Sequence, residues 1–511
     1  MPKSFSRHID SGFLRTNISN WLILATMLMA AVYFLVLAFL LPKGNIILFA
    51  FLVAGEIFHL WQVFSYAHTI WNTHDTPRPR YLATPKIDLF ITVAGEPTEI
   101  VEATVKAAKA QIYPNFEVYI LNDGLVAKKD NWQEIGLLAQ RLGVHCITRT
   151  RPGGAKAGNI NHAITLTDGE CIAVLDADQV PHENFLQKMS GYFADPNVGF
   201  VQSPQYYKNF QTNEVTHGAW EQQELFFGPI CKGKNHWNAA FMCGTNMVIR
   251  RQAIEQVGGF TSDNIAEDFL TSLFIHQKGW KSVYVPEVLA EGLAPEDFYS
   301  YYKQQLRWAR GSLEVLFKHN PLFKKGLTWH QKIEYLASAS FYASGVIIML
   351  NALLPLIFFY TGLVPLATST MMLALIFLPY IFLVVLTLRL SSNYAYTFRA
   401  LAFSMSCFGI HLQALTAVLL GQKTAFAVTS KKQLTGNFLY LAWPHLVYIA
   451  LGVIGVEVAL LREGLSAQVL TNLSWALFNT SVFLPFISAA LPRRASATVE
   501  QPAVETVSVR K

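Results

Sequence analysis

Two groups of long apolar runs, separated by a polar middle region, constrain this chain more than any other feature. A helix needs about 20 mostly apolar residues to span a bilayer, and several runs reach that length. With 52% hydrophobic and only 14% charged residues, the chain is too apolar for an ordinary soluble protein. A multi-pass membrane protein in a lipid bilayer is therefore expected. Its predicted hairpins pair Trp21–Leu41 with Ile46–Tyr66, Tyr335–Tyr360 with Leu363–Leu388, and Phe438–Leu461 with Val469–Ala490.

One more apolar segment, Tyr396–Leu420, carries Arg399, His411 and Gln413. We interpret it as an amphipathic helix in the membrane interface, and a seventh span is the alternative. Six spans place both termini on one side, and the basic residues cluster there while the opposite loops carry only Lys43 and Arg462. By the positive-inside rule, the middle region and both termini are expected to be cytoplasmic, at a plasma (inner) membrane.

The chain divides into four predicted parts. They are an N-terminal basic leader and hairpin (1–75), a cytoplasmic catalytic domain with an interfacial helix (76–325), a channel region (326–495) and a disordered cytoplasmic tail (496–511). The net charge of +6 is dispersed, which argues against nucleic acid as a partner. The five cysteines have no metal-ligand spacing, and their predicted location makes disulfides unexpected.

Strand-like and helix-like segments alternate at the start of the middle region. This spacing predicts a parallel sheet and a nucleotide-binding α/β fold. The predicted strands are Lys86–Val93, Phe116–Leu121 and Val144–Thr148, and the predicted helices are Thr98–Gln111 and Asn131–Leu142.

The apolar run Cys171–Leu175 ends in two carboxylates, Asp176 and Asp178. Ligands of open α/β sheets bind beyond the carboxyl ends of the strands, and alternation along an extended chain would place both carboxylates on one face. Mg²⁺ usually binds through one or two carboxylates plus substrate phosphates. The pair therefore favours a Mg²⁺ (or Mn²⁺) site for a nucleoside diphosphate, and a plain surface turn is the alternative.

Two other positions suit a nucleotide. Asp123 follows a predicted strand and precedes a glycine, although a structural Asx turn explains it equally well. Lys156 lies in a Gly-rich basic loop before a predicted helix, where a phosphate would be stabilised. A plain loop explains that segment equally well.

Acidic and aromatic residues further along the chain suit a sugar acceptor. Glu267 and Asp268 open a predicted helix, where they either complement its dipole or supply a general base. In the predicted helix Asp297–Phe317, Arg307 and Trp308 either anchor the membrane interface or clamp a pyrophosphate and stack on a sugar.

Together these residues resemble the processive family 2 glycosyltransferases, most closely bacterial cellulose synthase catalytic subunits. The resemblance runs from about Trp21 to Ala490. It rests on five ordered elements that include a loop similar to the family's gating loop. The elements are Asp123 in Asn-Asp-Gly, Asp176-x-Asp178, Glu267-Asp268, Gln304-x-x-Arg307-Trp308, and Phe426-Ala-Val428-Thr429-Ser-Lys431.

The resemblance implies a cytoplasmic GT-A (nucleotide-diphospho-sugar transferase) domain and a role for each motif residue. Asp123 and Lys156 would contact the nucleotide, and Asp176 and Asp178 the diphosphate and metal. Asp268 would be the base, with Glu267 beside it. Trp308 would stack on the acceptor sugar, and the Cys243 loop would line the acceptor site. Gln304 and Arg307 are expected to bind substrate as parts of the same motif. The expected gating residues over the nucleotide are Phe426, Val428, Thr429 and Lys431.

The implied activity is processive, inverting polymerisation of a UDP-sugar, with UDP-glucose expected, and translocation of the growing polysaccharide. Synthesis of a β-1,3 or mixed-linkage glucan, or of a chitin- or hyaluronan-like polymer, is the first alternative. Non-processive transfer to a lipid is the second, and a membrane receptor or transporter with a nucleotide sensor is a non-enzyme alternative.

Departures from the family's pattern leave linkage and product open. Ala266 stands where the family usually has Thr, and Gln305 where cellulose synthases usually have Arg. The first strand ends in Thr-Val-Ala-Gly-Glu-Pro, not the commoner Pro-Thr-Tyr-Asn-Glu-Pro. The chain ends about twenty residues after its last predicted span, so no appended cyclic-di-GMP-binding barrel is expected. Regulation of that kind, or export, would need accessory subunits.

Overall fold

The computed structural model describes residues 14–16, 18–77, 79, 83–422 and 434–492. An N-terminal hairpin is formed by helices α1 (Asn20–Leu35), which continues as a π-helical turn to Leu40, and α2 (Ile46–Ile70). Each helix has a polar N-cap, because Ser19 accepts a hydrogen bond from the Leu22 amide and Asn45 from the amides at the start of α2. This hairpin confirms the first two predicted apolar helices.

The middle region contains two sheets. Its strands are β1 (Ile87–Val93), β2 (Phe116–Asn122), β3 (His145–Thr148), β4 (Cys171–Asp176), β5 (Val180–Pro181), β6 (Val198–Gln202), β7 (Tyr206–Tyr207), β8 (Met247–Arg250), β9 (Lys281–Tyr284) and β10 (Ala290–Gly292). Its helices are α3 (Thr98–Lys109), α4 (Trp132–Leu142), α5 (Ala155–Ile164), α6 (Phe185–Ser190), α7 (Glu214–Leu225), α8 (Cys231–His236), α9 (Arg251–Glu255), α10 (Glu267–Gln277) and α11 (Phe298–Lys318).

The larger sheet has the order β3-β2-β1-β4-β8-β6-β9, and the smaller one β5-β10-β7. The strands β1 to β4 are parallel, as the strand–helix alternation predicts. The sheet as a whole is mixed, because β8 runs antiparallel to both β4 and β6. The reason is that β8 follows a long excursion through α7 and α8 and enters the sheet from the opposite end.

Every residue of β1 is buried, because helices cover both faces of the sheet. Side chains alternate along β1, so Leu89 and Ile91 pack on the side of α3 and α4, while Phe90 packs on the side of α5 and α9. The central strands therefore lie in two apolar layers, and their carboxyl ends form an edge where polar side chains collect.

The C-terminal region is helical and packs on the middle region mainly through α11. Its helices are α12 (Trp329–Ser340), α13 (Ser344–Thr361), α14 (Thr370–Ser391), α15 (Phe398–Ser406), α16 (Phe408–Leu419), α17 (Trp443–Glu463) and α18 (Ala467–Ala490). Within the described residues, seven helical stretches are long and apolar enough to cross a membrane, and Phe398–Leu419 is one of them.

The predicted interfacial segment forms two helices, α15 and α16, that meet at Cys407. On one side they contact α7 and α11 of the middle region, and on the other α13 and α18 of the C-terminal region. Thr397 donates a hydrogen bond to Glu221 of α7 (2.8 Å), and Arg399 pairs with Glu214 (3.1 Å). Helices α15 and α16 thus lie between the middle region and the C-terminal helices. This position supports the interpretation that they lie in the membrane interface, which stays a prediction.

Candidate active site at the carboxyl edge of the sheet

Asp123 follows β2 directly and is buried against Arg149, which follows β3. The Arg149 guanidinium donates to both carboxylate oxygens, with Nε 2.9 Å from Oδ1 and Nη2 2.6 Å from Oδ2. The same guanidinium donates to the carbonyls of Gly153 and Ala155 in the Gly-rich loop. The Asx turn considered for Asp123 belongs instead to Asn122, whose Oδ1 accepts from the Gly124 amide at 3.0 Å. Through Arg149, Asp123 is thus connected to the Gly-rich loop.

The two carboxylates after β4 occupy different surroundings. The strand ends at Asp176 and the chain then turns, so the prediction that extended geometry aligns the pair is wrong. Asp176 is half-buried and accepts a hydrogen bond from Thr92 Oγ1 at 3.2 Å. Asp178 is buried, and its Oδ2 accepts from the Leu293 amide at 3.0 Å. Tertiary contacts to β1 and to the segment after β10 hold the pair at the sheet edge.

Lys156 lies in the first turn of α5, which begins earlier than the sequence predicts. Its Nζ donates to Asp176 Oδ1 and to the Gly244 carbonyl, the latter at 2.8 Å. The side chain is only 14% exposed, so the ammonium depends on these partners. Lys156 therefore joins the acidic pair to the loop that precedes β8.

That loop carries Cys243 and is organised by the buried amide of Gln202. Gln202 Oε1 accepts from the Cys243 amide at 2.9 Å, and its Nε2 donates to the Thr245 carbonyl at 2.8 Å. Gly244 adopts a φ of +82°, a conformation that favours glycine. Burial raises the pKa of the Cys243 thiol well above its usual range, so the thiol stays neutral.

Glu267 and Asp268 begin α10, and Asp268 lies close to Gly244. A Cβ added to Gly244 would lie 3.1 Å from Asp268 Oδ2 and 3.7 Å from Lys156 Nζ. Burial raises the pKa of Asp268, although the Phe269 amide and the cationic Lys156 and Arg307 oppose this shift. Burial and the neighbouring Asp268 raise the pKa of Glu267. A carboxylate with a raised pKa is a stronger proton acceptor, as a general base requires.

Helix α11 carries the predicted acceptor residues Gln304, Arg307 and Trp308, all of them half-buried. Its Gly311 packs directly on the N-cap of α10, where a Cβ on Gly311 would lie 2.5 Å from Ala266 Cβ. Asn264 Nδ2 also donates to the Gly311 carbonyl at 3.0 Å. The small side chain of Ala266 thus belongs to a close helix contact that brings Arg307 into the electrostatic range of Asp268.

The predicted gating residues Phe426, Val428, Thr429 and Lys431 lie outside the described residues. Among the residues that the structure describes, no three acidic, His or Cys side chains form a group that could hold a metal ion. Asp176 and Asp178 still fit Mg²⁺ or Mn²⁺, because such ions take one or two carboxylates and complete their shell with phosphate and water oxygens.

A family model described as "Glycosyl transferase family group 2" matches residues 171–454, more than half of the chain. The chain belongs to this family. The match covers β4, the Cys243 loop, α10 and α11, and it continues into the C-terminal helices. The matched region of the glycosyl transferase thus contains the acidic pair, the Cys243 loop, the start of α10 and the site residues of α11, whereas Asp123, Arg149 and Lys156 precede it.

Curated relatives support the resemblance to cellulose synthases. The transferase is 32% identical over 469 residues to a cellulose synthase catalytic subunit (UDP-forming) of Pseudomonas fluorescens, covering 87% of this chain and 62% of the relative. It is 31% identical over 463 residues to cellulose synthase 1 of Komagataeibacter xylinus, covering 86% of this chain and 29% of the relative. The chain thus spans less than two thirds of these relatives.

The fold agrees with that of a solved glycosyltransferase. The mannosyltransferase PcManGT from Pyrobaculum calidifontis, solved in complex with GDP-Man and Mn²⁺, superposes with a TM-score of 0.52 at 18% identity. The superposition covers 74% of this chain and 100% of that one. This likeness confirms the predicted GT-A-like fold for the transferase.

Several residues of the site cannot be found from the motifs alone. Arg149 and Gln202 are buried polar side chains that lock the Gly-rich loop and the Cys243 loop. Thr245 Oγ1 accepts from the Asp176 amide at 2.9 Å and so supports the acidic pair. The signals in the sequence are an Arg directly after β3 and a Gln at the end of β6, and neither is specific without the fold.

Proposed function

We propose that this chain is a membrane-embedded, processive, inverting β-glycosyltransferase that polymerises a UDP-sugar. The observation that carries the proposal is that Lys156 and Asp268 converge on Gly244, because a Cβ added there would lie within 4 Å of both side chains. A cation that suits a phosphate and a candidate base are thus close neighbours. Direct transfer requires this proximity, because the diphosphate of the donor and the hydroxyl group of the acceptor must both reach the same anomeric carbon.

In the proposed reaction, Asp268 accepts the proton of the acceptor hydroxyl. The hydroxyl oxygen forms a bond to the anomeric carbon as the bond from that carbon to the diphosphate oxygen breaks, which inverts the configuration and releases UDP. Asp176 and Asp178 would hold Mg²⁺ or Mn²⁺, which when bound neutralises charge on the diphosphate. Lys156 and Asp123 bind the nucleotide side, and Glu267 supports the base.

The acceptor side is assigned to α11 and the Cys243 loop. Trp308 offers an aromatic face for the terminal sugar, Gln304 and Arg307 offer donors, and Cys243 offers a neutral thiol. The Gln304 Oε1 atom is buried without a hydrogen-bond partner in the described part of the chain, which suits an acceptor for a sugar hydroxyl. The growing polysaccharide then enters the channel region.

The location proposed is the inner membrane, with the catalytic domain and both termini cytoplasmic. Similarity to cellulose synthases supports UDP-glucose as the donor and a β-glucan such as cellulose as the product. The residues Phe426, Val428, Thr429 and Lys431 are proposed as the gating loop, and accessory export subunits as partners.

Product analysis tests this proposal. Membranes containing the full chain are supplied separately with radiolabelled UDP-glucose, UDP-N-acetylglucosamine and UDP-glucuronate, and the ethanol-insoluble product undergoes linkage analysis. A long β-glucan from UDP-glucose is the expected result. Polymer from an amino-sugar donor would move the assignment to a chitin- or hyaluronan-like product, and a single sugar on a lipid would remove processivity.

A further inference from the structure

Lys156 is a largely covered cation that contacts a carboxylate to which we also assign a metal ion. Its Nζ contacts Asp176 Oδ1, the same oxygen that accepts from Thr92 Oγ1. The lysine side chain is 14% exposed, whereas that of Asp176 is 40% exposed. The carboxylate is thus open to a ligand from one side while the ammonium covers it from the other.

A divalent ion on Asp176 would meet this ammonium at close range. Two cations on one carboxylate repel each other, and the repulsion is strong where water is partly excluded. Asp178 adds one carboxylate, and no third acidic, His or Cys side chain completes a metal-holding group among the described residues. Without a nucleotide, the described residues therefore offer a divalent ion two carboxylates, and the Lys156 ammonium competes for one of them.

A nucleotide diphosphate changes this balance. It brings oxygen ligands for the divalent ion and negative charge for the lysine. Lys156 also lies in the first turn of α5, and a phosphate is favoured at a helix N-terminus. The ammonium can then exchange one anionic partner for another without being left unpaired.

We infer that Lys156 competes with the divalent ion for Asp176, so that metal and nucleotide bind tightly only together. Ion binding displaces the ammonium from Asp176, and the diphosphate receives it. By linkage, the nucleotide then raises metal affinity by the same factor as the metal raises nucleotide affinity. This inference rests on the metal assignment in the proposed function, but it concerns binding and not turnover.

The test measures Mn²⁺ binding by electron paramagnetic resonance on the full chain in detergent, with and without UDP. Lys156→Met removes the charge at similar length, and Lys156→Arg retains it. Lys188→Met is the matched control, because Lys188 pairs with Glu287 outside the site.

Without UDP, the Lys156→Met variant should bind Mn²⁺ about tenfold more tightly than the wild type, because the competing cation is gone. Lys156→Arg and Lys188→Met should match the wild type. UDP should strengthen Mn²⁺ binding clearly in the wild type and less in Lys156→Met. Unchanged or weaker nucleotide-free binding by Lys156→Met would overturn the inference.

Amine labelling of the wild type gives a second readout that does not depend on a variant. Reaction of Lys156 with an acylating reagent, followed by mass spectrometry, should rise with Mn²⁺ alone and fall again with Mn²⁺ and UDP. No rise with Mn²⁺ would overturn the inference. If the wild type binds no Mn²⁺ even with UDP, both the metal assignment and this inference fail. If the wild type binds Mn²⁺ and UDP together but the Lys156 variants bind Mn²⁺ as the wild type does, only this inference fails.

Discussion

Gly244 is the residue whose substitution tests the geometry of the site most directly. An alanine there would place Cβ 3.1 Å from Asp268 Oδ2, closer than an ordinary van der Waals contact. Asp268 Oδ1 already accepts the Phe269 amide at 2.8 Å, so Oδ2 is the oxygen that faces Gly244. The base or the loop would have to shift by a few tenths of an ångström.

The effect of crowding can be separated from the effect of backbone strain. A non-glycine residue at positive φ costs roughly 1–2 kcal/mol, and Gly244→Ala incurs that cost at φ +82°. Gly258→Ala is the matched control, because Gly258 has φ +84° and a Cβ added there would meet no atom within 4 Å. Both variants should therefore lose similar stability, and only Gly244→Ala should disturb the base.

Incorporation of labelled UDP-sugar into polymer, with Tm measured on the same detergent preparations, checks this expectation. Gly244→Ala should lower kcat by about tenfold, because a shift of a few tenths of an ångström should cost less than the roughly 10²-fold loss that a misplacement of about 1 Å can cause. Its Tm should be close to that of Gly258→Ala. Equal polymer synthesis by the two variants would refute the assignment of Asp268 Oδ2 to the reacting hydroxyl.

Five further outcomes are expected. Asp268→Asn should lower polymer synthesis by about 10²–10⁴-fold with UDP binding retained. In the wild type, kcat should fall as the pH drops through the raised pKa of Asp268, because the protonated carboxyl group cannot accept a proton. Arg149→Met should cost about 3–5 kcal/mol of stability because it leaves a buried carboxylate unpaired, whereas Arg141→Met, which breaks an exposed ion pair, should leave Tm nearly unchanged. Lys431→Ala should weaken UDP retention, whereas Trp308→Ala should shorten the polymer at normal UDP affinity, and the reverse pattern would contradict the gating and acceptor assignments. Excess chelator should abolish synthesis, and Mg²⁺ or Mn²⁺ should restore it; full turnover in chelator would exclude the metal role.

Local patterns predicted the apolar helices and the parallel half of the larger sheet. Apolar runs long enough to span a bilayer predicted α1, α2, α13, α14, α17 and α18, because length and polarity are properties of the segment itself. The ends of β2 and β4 predicted Asp123 and Asp176 at one edge, since carboxyl ends of parallel strands meet there.

Only the tertiary structure decided how those residues are held. Arg149 reaches Asp123, and Lys156 joins Asp176 to Gly244, through contacts between segments that are far apart in the chain. Ala266 and Gly311 belong to different helices, and their small size matters only where those helices meet. The antiparallel entry of β8 likewise follows from pairing with β4 and β6. Such contacts depend on the packing of the whole domain, and therefore no local pattern of polarity or spacing encodes them.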